Sequence, residues 1–224
     1  MKKQLIFLSI AITITANTFA QQLTIFDYFE KLYEDQKISY KIENIEGEWI
    51  TQSNAGYEIK ATVDIINGYI EIIDEGTGGG TTKLQVVLYR KKDGSALIAT
   101  SEFISDGTFF EEKVEFYEYK DNLCLNVKKK VLPNIELASF LKPDYITSNF
   151  PEEYYEMFAI KYDLPQYGTT IEVIFIKGGL NQICNGTMET TPEKQKIICD
   201  FLENIENPKI KLYWDKTKGK FYLK

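Results

Sequence analysis

The sequence predicts an α+β protein whose strands are mostly antiparallel. Between Gly47 and Pro133 apolar residues alternate with polar ones, which is the period of a strand with one buried face. A helical period appears outside this region, after Thr24 and after Thr191. Asn-Gly and Asp-Gly pairs favour tight hairpins because both central residues of such turns need positive φ. The pairs that divide the region are Asn67-Gly68, Asp93-Gly94, Asp106-Gly107 and Asp121-Asn122.

The first twenty residues, "MKKQLIFLSIAITITANTFA", have the pattern of an export signal. Two lysines precede an apolar run from Leu5 to Ile14, and Thr18 and Ala20 are the small residues of a cleavage site. The run is too short to cross a bilayer, which needs about 20 residues. We therefore expect cleavage after Ala20 and a mature chain that is periplasmic or extracellular.

The charge balance argues against nucleic acid as a partner. The chain has 26 basic and 33 acidic residues, and its formal charge of −7 becomes −9 when the two lysines of the export signal are removed. Nucleic acid binding needs clustered Lys and Arg. The one dense basic run is "VKKKV" (127–131), which we predict to be the solvated end of a strand. After the export signal, the sequence predicts no membrane span.

The sequence contains no histidine and three cysteines. The absence of histidine excludes Ser-His-Asp and Cys-His mechanisms, and it also excludes zinc sites that need an imidazole ligand. Three cysteines are too few for a four-cysteine zinc site. The sequence therefore predicts no metal, no cofactor and no catalytic residue, and it favours a binding protein over an enzyme.

The mature chain begins with a predicted helix in "TIFDYFEKLYEDQ" (24–36), with Thr24 as N-cap and Asp27 in the first turn. Its apolar stripe is made of Ile25, Phe26, Phe29, Leu32 and Tyr33. A meander follows, because strands joined by such short turns run antiparallel. Its strands are predicted near residues 57–66, 69–74, 82–91, 95–104, 110–120 and 123–132.

Three prolines between positions 133 and 151 mark a boundary zone. We predict an N-terminal part at 21–133, a connector with a short helix at 134–152 and an α+β part at 153–224. In the last part, "YEMFAIKYDL" and "TTIEVIFIKGG" predict two strands, and "KIKLYWD" and "KFYLK" predict a closing hairpin. Between them Thr191 caps a helix that has Pro192 at its first position. The order of elements is ββαββ.

The segment "IIDEGTGGGTTKLQ" (72–85) holds four glycines in five positions. A phosphate loop and a dinucleotide fingerprint would both require glycine at position 81, which is Thr81. The residues that follow alternate like a strand, so no helix N-terminus is placed to receive an anion. The sequence predicts a wide turn, with close approach of a ligand as the remaining alternative.

Several of these turns and strands carry a resemblance to known proteins. The segments are "NGYIEI", the glycine loop, "LYRKKDGSALIA", "FYEY" and "YDLPQYGTTIEV". They resemble segments of short exported proteins of unknown function from Gram-negative bacteria. The resemblance covers most of the mature chain. It implies export and a β-rich fold, and it assigns no functional residue.

The cysteines predict one disulfide. Cys184 lies in a predicted loop, "GGLNQICNGT", and Cys199 lies on the flank of the last helix, within reach of that loop. An exported protein meets an oxidising compartment, so we predict a bond between Cys184 and Cys199. The alternative is that both are reduced packing residues. Cys124 is then the odd thiol, expected to be buried in the sheet.

Carboxylates are the remaining groups that could support catalysis. Glycoside hydrolases use two carboxylates about 5 to 9.5 Å apart. Neighbours on a strand point to opposite faces, so adjacent acidic residues favour solvation over a catalytic pair. A histidine-free hydrolase therefore stays an alternative. The adjacent pairs are Asp74 with Glu75, Glu111 with Glu112, and Glu152 with Glu153.

Aromatic residues point to the preferred function. Tyr and Trp on an exposed sheet face can stack on sugar rings or form a protein-binding patch. We predict non-catalytic binding of a glycan or an envelope protein through such residues, although each one could instead fill a strand position. "GEW" (47–49) resembles the first strand of lipocalin-like barrels, so a barrel for a small hydrophobic ligand is a further alternative. The candidates are Tyr89, Phe109, Tyr117, Tyr119, Tyr213, Trp214 and Tyr222.

Overall fold

The fold combines two antiparallel sheets with short helices, which confirms the predicted α+β class. The computed structural model describes residues 22–53, 55–76, 79–146 and 150–224. The predicted export signal and its cleavage site lie outside the described residues.

The first sheet is a meander of eight strands in sequence order. The six predicted strands are present, and two short strands precede them. The last predicted strand is shorter than expected, because it ends at Asn126. The strands are β1 (Glu43–Ile45), β2 (Glu48–Gln52), β3 (Glu58–Asp64), β4 (Tyr69–Asp74), β5 (Thr81–Arg90), β6 (Ala96–Ser105), β7 (Phe110–Lys120) and β8 (Leu123–Asn126).

The second sheet has four strands in the order β12-β11-β10-β9. Its central pair, β10 and β11, has Ile171 opposite Leu212 and Val173 opposite Ile210. The edge strand β9 lies against the meander, close to β7. The strands are β9 (Ala159–Asp163), β10 (Ile171–Ile176), β11 (Lys209–Asp215) and β12 (Lys220–Tyr222).

Two of the four α-helices in the described part of the chain were predicted. In α1 (Ile25–Glu34), the Thr24 backbone and hydroxyl both donate to the Asp27 carboxylate, and the Asp27 backbone N–H donates back to the Thr24 hydroxyl. In α4 (Pro192–Glu203), the Thr191 hydroxyl accepts from the backbone N–H of Lys194 at 3.4 Å. No helix within the described ranges is long and apolar enough to span a membrane.

The other two helices correct the sequence predictions. "VKKKV" forms α2 (Lys128–Val131), not the end of a strand, because Val127 and Val131 are both buried and residues four apart share a helix face. The predicted loop around Cys184 is α3 (Gly178–Cys184), whose Leu180 and Ile183 are buried at helical spacing. Two 3-10 helices complete the structure, at Leu137–Phe140 and Glu152–Met157.

The meander is covered on both faces. On one face α1 packs its Ile25, Phe29 and Leu32 against the sheet. On the other face the second sheet and α4 enclose the larger core, which joins residues before and after the connector at 134–152. In β5 the four consecutive residues Leu84 to Val87 are buried, since each face of that strand meets a core.

The lipocalin-like alternative is wrong. β1 and β8 stand at opposite ends of the meander, so the sheet is open in the described part of the chain. Side chains fill both of its faces, where a carrier of this kind would enclose a cavity. Trp49, which suggested the barrel, lies on β2 and packs against Phe26 of α1 with ring centroids 4.8 Å apart.

Polar side chains of the meander contact the edge strand β9. The Ser101 hydroxyl donates to the carbonyl of Tyr162 at 2.7 Å, and the N–H of Tyr162 donates to Oε1 of Glu112 at 3.2 Å. Burial raises the pKa of Glu112 to about 7. Its Oε2 atom is buried without a hydrogen-bond partner among the described residues. This carboxyl group therefore sits between the two sheets.

Candidate functional site

The seven predicted aromatic residues do not form one surface. Tyr89 is 2 % exposed in the larger core, and Tyr117 is 4 % exposed in the core under α1. The expectation of exposure is corrected for these two residues, because both faces of the meander are covered. Tyr119 packs beside α1, where its hydroxyl donates to Asp35 at 2.9 Å.

The remaining four candidates lie in three places. Phe109 is exposed at the turn between β6 and β7. Tyr213 and Tyr222 pair on the outer face of the second sheet, with ring centroids 6.0 Å apart. Trp214 faces the opposite way and meets Tyr89, with ring centroids 5.3 Å apart. The contact of Trp214 with Tyr89 brings two predicted residues together beside a cavity.

Trp214 borders a cleft of about 400 Å³. Five parts of the fold meet there: the residues before α1, the turn between β3 and β4, the end of β5, the connection between β9 and β10, and the end of β11 with the turn after it. We refer to it as the Trp214 cleft. Its lining consists of residues 22–24, 65–68, 88–90 and 168–169, with Trp214 and Lys216.

The turn between β3 and β4 is held by Asp64. Its carboxylate accepts hydrogen bonds from the side chain of Asn67 at 2.7 Å, from the backbone N–H of Asn67 at 3.0 Å and from Gln166 at 3.1 Å. These bonds hold the pKa of Asp64 below its usual value, and the hydrogen bond from the Asn67 side chain has the largest effect. The contact with Gln166 ties the turn to the connection between β9 and β10.

Gly68 closes the same turn against β5. Its φ of +68° lies in the left-handed region, and its carbonyl accepts the N–H of Leu88 at 2.8 Å. A Cβ atom at this position would lie 3.1 Å from the Cβ of Leu88. Glycine is therefore required both for the turn and for the approach to β5.

Two exposed apolar side chains at this site were missed by the sequence analysis. Ile66 is 96 % exposed at the tip of the β3–β4 turn, and Tyr167 is 72 % exposed beside the lining residues Gly168 and Thr169. The signal was present for Ile66, because "DIINGY" breaks the strand alternation with two isoleucines directly before a turn pair. For Tyr167 the sequence offers only its place in a Pro- and Gly-containing loop.

The floor of the cleft is aromatic. Trp214 packs against Phe221 as well as Tyr89, with ring centroids 5.0 Å apart, and its indole N–H donates to the carbonyl of Arg90 at 3.4 Å. The Tyr89 hydroxyl is buried without a hydrogen-bond partner among the described residues. Its burial raises the pKa of this phenol. In this floor Trp214 is partly exposed, whereas Tyr89 is buried.

The charged groups of the cleft are basic. Arg90 and Lys216 line it, and none of its lining residues is acidic. The Arg90 guanidinium donates to the carbonyl of Leu23 and lies 5.9 Å from the centre of the Tyr28 ring. Arg90 is therefore held in place, while Lys216 is exposed.

The acidic pairs named from the sequence lie elsewhere. Asp74 is buried at the base of the glycine loop, where it accepts from the hydroxyls of Tyr57 and Tyr40 and from the N–H of Gly76. The hydrogen bond from Tyr57 is the main reason why its pKa is lowered. The glycine loop connects β4 to β5, which begins at Thr81, and its residues 77 and 78 lie outside the described part of the chain. Glu153 pairs with Lys194 on the surface.

Two cysteines pair as predicted, although Cys184 ends a helix and does not lie in a loop. Cys184 and Cys199 have their Cα atoms 5.4 Å apart and are disposed as a disulfide, which joins α3 to α4. Cys124 is a half-buried free thiol on β8. Among the described residues, no group of three or more Cys, Asp or Glu side chains is arranged to hold a metal ion.

No protein-family model matches the sequence, and no curated protein matches it. Among solved structures, the chain is similar to a domain of an uncharacterized protein from Porphyromonas gingivalis W83. The TM-score is 0.50 at 10% sequence identity, over 83% of this chain and 79% of that chain. At this identity the likeness concerns the fold. The neighbour is itself uncharacterized and comes from a Gram-negative bacterium, which agrees with the resemblance seen in the sequence and establishes no family.

Proposed function

We propose that this protein binds a glycan without catalysis, in the Trp214 cleft, in the periplasm or outside the cell. The observation that supports this most is the combination of the partly exposed Trp214 in the lining with the exposed ring of Tyr167 next to it. Aromatic rings of this kind offer a flat apolar surface with a polar end that stays in water. A sugar ring, which has apolar faces and a rim of hydroxyls, matches that surface.

The composition of the cleft suits the same ligand. Its volume of about 400 Å³ lies in the range of small-molecule sites. Apolar groups come from the β3–β4 turn and the indole, and hydrogen-bonding groups come from Gln22, Asn67 and Thr169. Sites of this type use a few placed polar groups for orientation and apolar surface for affinity.

The walls of the cleft are organised before a ligand arrives. Asp64 binds both its own turn and Gln166 of the facing connection, and Gly68 bonds to β5. A ligand therefore meets loops that are already ordered, which reduces the conformational entropy lost on binding. This supports recognition by a preformed site.

The hydrolase alternative gains no support from the cleft. Its lining residues contain no carboxylate, whereas glycoside hydrolysis needs two on either side of the bond. Glu112 is buried between the sheets, and Asp74 is bound by two tyrosines. These positions support binding without turnover.

An envelope protein is the second candidate, and Ile66 favours it. Ile66 is 96 % exposed and its neighbour Ile65 is 48 % exposed, and such an aliphatic tip suits a contact between proteins better than a sugar ring. Ile66 and Tyr167 together would supply the apolar and aromatic anchors that dominate such interfaces. The same surface would then be covered by a protein partner.

Calorimetric titration of residues 21–224 with a panel of neutral and acidic oligosaccharides tests the proposal. We expect at least one member to bind, and Tyr167→Ala to weaken that binding about tenfold or more. Tyr222→Ala is the matched control, because it removes an exposed tyrosine from the outer face of the second sheet. A panel without binding, or equal losses in the two variants, would reject glycan binding at this cleft.

A further inference from the structure

The Trp214 cleft differs in charge from the rest of the protein. The chain has 33 acidic and 26 basic residues, yet the cleft lining has Arg90 and Lys216 and no carboxylate. A surface with this excess of acidic groups repels anions in general. A basic cleft on it therefore indicates which part of the surface an anionic ligand can approach.

The basic character continues beyond the cleft. The turn between β11 and β12 meets the turn between β5 and β6, where the N–H of Lys92 donates to the carbonyl of Lys216 at 2.9 Å. The side chain of Lys91 lies over Gly219, at which a Cβ atom would come within 2.9 Å of it. Residues 124 positions apart in sequence thus form one basic ridge, which we define as Lys91, Lys92, Lys216, Lys218 and Lys220.

Part of this ridge is already neutralised. Lys91 pairs with Glu118, and Lys218 lies 3.4 Å from Asp215. Lys92, Lys216 and Lys220 are exposed and have no carboxylate within 4.0 Å among the described residues. These three charges are available to a ligand.

The ridge also has a shaped recess. A second depression of about 470 Å³ lies between the two turns, and it is lined by Lys91, Lys92 and Lys218 together with Asp93, Thr217 and Gly219. The Asp93 carboxylate accepts hydrogen bonds from the N–H and hydroxyl of Ser95, at 2.9 and 2.7 Å, and keeps its negative charge, so lysines outnumber carboxylates in this lining by three to one. Because Lys216 belongs to the cleft lining and is bonded to Lys92, an extended ligand can run from one depression to the other.

We propose that the ligand of the Trp214 cleft is an anionic glycan, whose carboxylate or phosphate groups are bound by Lys92 and Lys216. This inference rests on the proposed function and adds the chemical class of the ligand. Exposed ion pairs are individually weak and are screened by salt. Charge therefore selects the ligand, while the aromatic floor and the polar walls hold the sugar.

The test compares glycans that differ only in charge. The probes are a uronic acid oligosaccharide with its carboxyl-reduced form, and a phosphorylated oligosaccharide with its dephosphorylated form. We expect at least one acidic form to bind about tenfold more tightly than its neutral form at 50 mM NaCl, with a smaller difference at 300 mM NaCl. Which pair shows the difference identifies the anionic group.

A double variant, Lys92→Gln with Lys216→Gln, should remove most of that difference. The control, Lys37→Gln with Lys196→Gln, makes the same change in net charge at exposed lysines outside both depressions. If neutral and acidic forms bind equally, or if both double variants behave alike, the anionic class is rejected while glycan binding stands. If no probe binds, glycan binding is rejected and this inference with it.

Discussion

Gln85 exchanges two hydrogen bonds with the backbone of Leu164. Its Nε2 donates to the carbonyl of Leu164, and the N–H of Leu164 donates to its Oε1, each at 3.1 Å. Leu164 follows β9, the edge strand of the second sheet, and edge strands leave unpaired N–H and C=O groups. The amide of Gln85 forms the hydrogen bonds with Leu164 that a neighbouring strand would otherwise form. Together with Ser101 and Glu112, this side chain of the meander joins the two sheets.

Gln85→Leu should lower the free energy of unfolding by about 3 kcal/mol, because it leaves the buried backbone groups of Leu164 without partners. The Tyr69 hydroxyl loses its bond from Gln85 at 2.9 Å as well. Urea denaturation followed by circular dichroism measures the change. Gln52→Leu, at an exposed position on β2, is the control and should change stability by less than about 0.5 kcal/mol. Similar effects of the two substitutions would contradict a specific role for the Gln85 amide.

The free energy of unfolding should fall as the pH rises through neutrality, because Glu112 loses its proton. Its pKa is about 7 in the folded protein and 4.5 ordinarily, so between these values the folded state binds the proton more strongly. The contribution is fully present below about pH 4.5 and is lost as the pH rises through about 7. The linkage between protonation and folding makes this contribution to the free energy of unfolding about 3 kcal/mol. Urea denaturation from pH 5 to pH 8.5 measures this slope.

Glu112→Gln should flatten that dependence, because the amide keeps an oxygen for the N–H of Tyr162 and does not titrate. Glu111→Gln removes a carboxylate from the exposed neighbour and should leave the slope in place. An unchanged slope in Glu112→Gln would show that other groups carry the pH dependence.

The pairing of Cys184 with Cys199 should stabilise the fold. The two residues are 15 positions apart, and closing a loop of that size contributes about 3 kcal/mol in the chain-entropy model. The double variant Cys184→Ala with Cys199→Ala should show a loss of that order in urea. Cys124→Ala retains the pair and should respond less. A double variant as stable as the parent protein would mean that the two thiols are packing residues.

Tyr89→Phe should leave the stability of the ligand-free protein unchanged or raise it by up to about 1 kcal/mol. The hydroxyl is buried without a partner among the described residues, so its removal relieves a desolvation penalty. The ring, which packs on Trp214 and Phe221, is retained. Thermal denaturation of the two proteins tests this expectation. A loss above about 1 kcal/mol would indicate a hydrogen bond to a buried water molecule.

The alternation of apolar and polar residues was sufficient to predict most strands of the meander. The predicted segments at 69–74 and 110–120 coincide with β4 and β7, because their alternation and their turn pairs act over a few residues. Asp121 and Asn122 both adopt positive φ, as the tight turn requires. "VKKKV" was assigned to the wrong element, since two buried valines four positions apart satisfy a helical turn as well as the end of a strand.

The candidate site could be predicted only in part. Trp214 was named from the sequence, but Ile66 and Tyr167 were not, and Tyr89 and Tyr117 were expected on the surface. Strand alternation identifies two faces without showing which of them another layer covers. In this fold both are covered, so aromatic residues on either face of the meander can be buried.

The sequence by itself determined the order of the strands, their antiparallel direction, the caps of α1 and α4 and the absence of histidine chemistry. Each of these depends on residue types and spacings within a short stretch of chain. The tertiary structure alone decided that residues 65–68, residues 168–169 and Trp214 surround one cleft, and that Lys92 meets Lys216. Such contacts arise from the packing of one sheet on the other, which joins distant segments that have no local period in common.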